Sequence, residues 1–118
     1  MKRDWDLIRK ILLKLEEKAD TKSLLQDTEI KGFDPETVSY HFKLLHSAGL
    51  IEGVDFSSMT ELSYAALSLT WAGHEFLDKI RSDTIWNNIK TLLKTKSLDL
   101  SLDVIKKAAS VVIGSMLP

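Results

Sequence analysis

The sequence predicts an α+β fold, mostly helical, with five helices and one two-stranded ribbon in a single domain. Three observations carry this. Apolar residues recur at three- and four-residue steps in several separate stretches, as one face of an amphipathic helix requires. Between residues 51 and 69 the period shortens to two, the repeat of a half-buried strand. The chain has 118 residues, 44% hydrophobic and 28% charged, which suffices for one core but leaves no room for a second.

The first helix is expected over Trp5 to Lys18. Asp4 stands where an N-cap belongs, and Trp5, Ile8, Ile11, Leu12 and Leu15 form its apolar stripe. Arg3, Arg9, Lys10 and Lys14 lie mainly on the other side. They make either a solvated face or a strip that meets phosphates. Residues 19–33 fit neither period. Asp20 to Ser23 reads as a turn, and a short strand or one helical turn fits the rest equally well.

From Asp34 to Glu52 the signals are strong. Asp34 can cap, Pro35 suits the first helical position, and Val38, Phe42, Leu45 and Ala48 share a face. Gly49 can take the left-handed conformation that ends a helix. Val54 and Phe56 then alternate with polar residues, Ser57 to Ser63 is turn-like, and Tyr64 to Leu69 ends in a period of two. Thr70 can cap a helix from Trp71 to Arg81, with Trp71, Phe76, Leu77 and Ile80 inward. Ser82 or Asp83 can cap the next, Thr84 to about Thr95, with Ile85, Trp86, Ile89, Leu92 and Leu93 as its stripe. The last helix, from Leu102 to about Ile113, is apolar over more than half its circumference. It either closes the core or forms a homodimer contact through Ile105, Ala109, Val112 and Met116.

The stretch TVSYHFKLLHSAGLI resembles the second helix of a helix-turn-helix in bacterial winged-helix repressors. A ribbon directly after it corresponds to the wing. The first helix of such a motif would fall in residues 19–33, where the sequence is thin for one. Three segments, MKRDWDLIRKILLKLEE, TVSYHFKLLHSAGLIE and LTWAGHEFLDKIRSDTIWNNIK, together resemble a family of bacterial and phage proteins catalogued as a domain of unknown function. That resemblance covers residues 1 to about 95. It implies a winged-helix-like fold and supplies no activity, substrate or catalytic residue. The expected organisation is a winged-helix core over residues 1–82 and a helical extension over 83–118.

Signals for catalysis are lacking, and the chain is not expected to be an enzyme. Its five glycines are isolated, so there is no phosphate-cradling loop. Without cysteine, and with His41 and His46 five residues apart on different helix faces, neither a metal site nor another cofactor is expected. His41 reads as a hydrogen-bonded helix histidine, and His74 with Glu75 and Asp78 reads as a surface face. Trp5, Trp71 and Trp86 are spaced as core anchors. No apolar run is long enough to span a bilayer, and the charged N-terminus MKRDWDLIRK is unlike a signal peptide. The cytoplasm is the expected compartment.

Charge separates the functional readings. Residues 1–43 carry nine bases and nine acids, and residues 44–78 carry five acids and no Lys or Arg. Residues 79–118 carry seven bases and three acids. If the chain binds duplex DNA as a regulator, the contacts would come from Thr37, Ser39, Tyr40, Lys43 and Ser47 on the second helix, and from Lys2, Arg3, Arg9 and Lys10. Glu36 in the same row would repel phosphate, and an acidic wing forfeits counterion release. The alternative is a protein-binding module in which Glu52, Asp55 and Glu61 face a basic partner. A weaker variant of that reading has the acidic face imitate DNA.

Overall fold

The computed structural model describes residues 1–96 and 101–117. It contains helices α1 (Trp5–Glu17), α2 (Pro35–Ser47), α3 (Trp71–Ile80), α4 (Asp83–Thr95) and α5 (Leu102–Met116), with strands β1 (Ile51–Asp55) and β2 (Tyr64–Leu69) between α2 and α3. This is the α+β, winged-helix-like arrangement that the sequence predicts. The chain divides into two compact units, Met1–His74 and Glu75–Pro118. Asp99, one of the three acids in 79–118, lies outside the described residues.

In the first unit the caps set the helix ends. The Asp4 carboxylate accepts from the amides of Asp6 and Leu7, which starts α1. Asp34 accepts from the Thr37 amide at 3.3 Å and from its hydroxyl at 2.5 Å, which starts α2. Gly49, at φ +76°, reverses the chain after α2, and the Leu50 amide donates to the Leu45 carbonyl. The strands β1 and β2 then pair antiparallel, with a bulge opposite Glu52 and Gly53. The bulge leaves Leu67 outside the paired register, and the Lys18 ammonium donates to its carbonyl. The core is built from Leu7, Ile11 and Leu12 of α1, Val38, Phe42 and Leu45 of α2, and Ile51, Ala65 and Leu69 of the ribbon, all buried.

Two buried polar side chains tie this core together. His41 accepts from the Asp4 amide at Nε2, 2.8 Å, and its Nδ1 meets the Thr37 carbonyl at 2.8 Å. It is a structural clip between the start of α1 and the body of α2. Ser39 plays the same part between α2, the 27–29 turn and β2.

Residues 19–33 hold both of the features the sequence left open. Leu25 forms an isolated bridge to Ala66, and Asp27–Glu29 is a single 3₁₀ turn. The first helix of a helix-turn-helix is therefore reduced to one turn. The bridge adds a third, minimal strand beside β2.

The start of α3 sits against the turn that ends α2. The Thr70 amide donates to the Leu50 carbonyl at 3.1 Å, and its hydroxyl donates to the Gly49 carbonyl at 2.6 Å. The same hydroxyl accepts from the Gly73 amide and so caps α3. Trp71 corrects the sequence reading: it is 81% exposed, not a core anchor. It occupies the first helical position, before the buried face of α3 begins at Gly73. Trp5 and Trp86 are buried as expected.

In the second unit Ser82 caps α4 through the Ile85 amide, and Ser101 caps α5 through the Val104 amide. α4 packs on α5. Trp86, Ile89 and Leu93 of α4 are buried, as are Ile105, Ala108, Ala109 and Val112 of α5.

Candidate functional site

The candidate site has two parts, the outer face of α2 and the wing formed by β1, β2 and the loop between them. On α2 the expected DNA-reading row separates into three kinds of residue. Ser39 is fully buried. Its hydroxyl donates to Asp27 Oδ2 at 2.6 Å and accepts from the Tyr64 amide at 3.0 Å. Ser39 is thus removed from any contact surface, because Asp27 and Tyr64 use its hydrogen-bonding capacity inside the fold. Thr37 and Tyr40 are half-buried, the first engaged by Asp34 and the second edge-on to His41. Lys43 and Ser47 are exposed, together with Glu36 and His46.

The bases expected to support DNA contact are partly engaged elsewhere. The Arg3 guanidinium lies 5.3 Å from the Trp5 ring centroid. Lys10 is half-buried, donates to the Lys31 carbonyl at 2.9 Å and lies 5.8 Å from the Phe33 ring. Arg9 is half-buried, and Lys2 is exposed.

The wing has a different character. Glu52, Asp55 and Glu61 are all exposed, and no Lys or Arg occurs between Leu44 and Asp78. Among these carboxylates stand exposed apolar side chains: Val54, Phe56 at 56% and Met59 fully in solvent. The loop that carries them is tied by hydrogen bonds. The Phe56 amide donates to the Ser63 carbonyl at 2.7 Å, and the Ser58 amide to the Glu61 carbonyl at 2.9 Å. The Ser57 amide donates to Asp55 at 2.8 Å, and the Ser57 hydroxyl accepts from the Ser63 amide at 3.0 Å. The Ser57 hydroxyl and amide hold the Asp55 carboxyl below its ordinary value, and the charge of Lys43 adds to this. The exposed base of α2 therefore lies in the field of a wing carboxylate.

Met59 was hidden in the sequence within a polar, turn-like segment. Its only signal there was a methionine in a short loop with no opposing apolar stripe. The expected dimer contact on α5 is also changed. Ile105, Ala109 and Val112 are buried within the chain, and only Met116 of that set is exposed. The apolar excess of α5 surfaces instead at Val111. Among the described residues no group of three or more His, Asp or Glu could hold a metal ion. No described helix is long and apolar enough to cross a membrane.

The family described as "Hypothetical protein (DUF2513)" matches residues 2–99, and the chain belongs to it. An "Uncharacterized protein" of Haemophilus influenzae is 62% identical over 117 residues, which cover 99% of both chains. No solved structure matches the chain.

Proposed function

We propose that this protein is a non-catalytic binding module, and that its wing docks a basic, partly apolar protein surface. The observation that supports this is the wing itself. Phe56 and Met59 stand in solvent on the hydrogen-bonded loop of a wing that carries three carboxylates and no Lys or Arg of its own. Exposed apolar side chains on a fixed loop lose little entropy on docking, so they suit an interface anchor. The carboxylates supply steering and specificity toward a positive partner. The same charges act against a nucleic-acid backbone, where phosphate neutralisation carries much of the affinity.

A second reading, a DNA-associated regulator, is favoured by one feature: the capped helix α2 precedes the wing and leaves Lys43 and Ser47 exposed. A peptide titration tests the wing reading. The full chain is titrated against a fluorescent Leu/Lys amphipathic helix peptide, alongside the double variant Phe56→Ser, Met59→Ser, whose net charge is unchanged. Docking through the wing is expected to weaken about tenfold or more in the variant, as loss of two anchors implies. Equal binding by both proteins, or none by either, would remove the wing reading.

A further inference from the structure

The second unit carries a surface of the kind that the proposed wing docking calls for. α4 and α5 leave between them an open apolar groove of about 320 Å³, lined by Leu92, Val104, Ala108 and Val111, with Lys96 and Lys107 at its edges. Its volume lies at the low end of the range for ligand clefts, enough for a few side chains. Val104, Lys107, Ala108 and Val111 follow at three- and four-residue steps, so one face of α5 supplies both the apolar floor and a basic edge. Val111, one of its lining residues, is 62% exposed. Lys90, Lys94 and Lys106 add to the positive field of these helices, against Asp83 and Asp103 among the described residues.

We infer that the occupant of this groove is the wing of a second copy of the chain, so that copies associate head to tail. This rests on the reading of the wing as a protein-docking surface, and it names the partner. The warrant is complementarity within one sequence. The wing offers Phe56 and Met59 between Glu52, Asp55 and Glu61, and the groove offers an apolar floor between Lys96 and Lys107. Apolar anchors enter the floor while carboxylates face ammonium groups across the rim. The contact joins two different patches. The pair then keeps one wing and one groove free, and association continues beyond the dimer unless a ring closes. A contact of α5 with itself would stop at two copies.

The test is sedimentation velocity on the full chain from about 1 to 500 μM, at low and at high salt. The wild-type mass is expected to rise with concentration past the dimer at low salt, and to fall back as salt screens the exposed rim. Two variants follow, one of the wing (Phe56→Ser with Met59→Ser) and one of the groove (Lys96→Glu with Lys107→Glu). Each alone is expected to lose self-association by at least tenfold. Mixed together they are expected to form a one-to-one pair that grows no further, because the mixture holds one intact wing and one intact groove. A wild-type chain that stays monomeric at 500 μM would overturn the inference. So would a wing variant that still dimerises, or variants that fail to pair when mixed while circular dichroism shows both folded. None of these results decides the peptide titration, so the wing reading stands or falls separately.

Discussion

Replacing Gly73 with alanine sets two effects of opposite sign against each other. Gly73 lies inside α3, where helix propensity alone favours alanine by about 1 kcal/mol. A Cβ at this position would stand 1.9 Å from the Leu50 carbonyl oxygen and 3.0 Å from the Leu50 carbonyl carbon. A carbon–oxygen contact needs about 3.3 Å, so the start of α3 must retreat by more than about 1 Å. Both partners at the close approach are backbone, so no side-chain rotamer relieves it. The retreat disrupts the Thr70 amide bond to the Leu50 carbonyl and the Thr70 hydroxyl bond to the Gly49 carbonyl. Each is worth about 1 kcal/mol net, and forced repacking adds about 1–3 kcal/mol. After the propensity gain is subtracted, Gly73→Ala is expected to destabilise by about 2 kcal/mol or more. Urea denaturation followed by circular dichroism should show a lower midpoint at unchanged slope, with a melting temperature down by about 10 °C. An equal or higher midpoint would refute the packing of α3 against the turn at Leu50.

Other perturbations follow from the same structure. Ser39→Ala strands the half-buried Tyr64 amide and takes a donor from Asp27, so it should cost about 1–3 kcal/mol in urea denaturation; a cost near zero would restore Ser39 to the contact surface. Asp20 is held at about 2, below its ordinary 3.8, by the Ser23 hydroxyl and amide, then by the Lys22 amide and the Lys18 charge. A lowered carboxylate stabilises the fold above its unfolded value and loses that effect as pH falls through the folded one. The urea midpoint should therefore drop between about pH 4 and pH 2, and less steeply in Asp20→Asn; parallel slopes would refute the link. Acrylamide should quench a component of tryptophan emission that Trp71→Phe removes, since Trp5 and Trp86 are buried; unchanged quenching in that variant would contradict the exposure of Trp71.

What was legible in the sequence was what is decided locally. Asp4, Asp34 and Thr70 cap as their positions announce, and of Ser82 and Asp83 it is Ser82 that caps α4, because a cap involves only the next three residues. Gly49 turns the chain for the same local reason. Residues 19–33 resisted because their order comes from afar: Leu25 is placed by a bridge to Ala66, which no local period records. Ser39 looked like a surface contact because its neighbours on the α2 row are polar. Its burial depends on Asp27 and the Tyr64 amide, brought there by two other segments. Trp71 lies on the apolar stripe by period, but its place at the first turn of α3 puts it outside the core. On α5 the apolar width was legible, while its division into buried Ile105, Ala109 and Val112 and exposed Val111 is set by tertiary packing.

The wing is proposed as the binding surface in place of a phosphate-reading face on α2. Fluorescence anisotropy of mixed-sequence duplex DNA against the full chain, at about 50 mM and 150 mM salt, tests this. The expected result is no saturable binding at either salt, with the peptide bound through Phe56 and Met59. Binding that falls steeply between the two salts, and that weakens by about tenfold in Lys43→Ala, would reveal counterion release at α2 and contradict the claim.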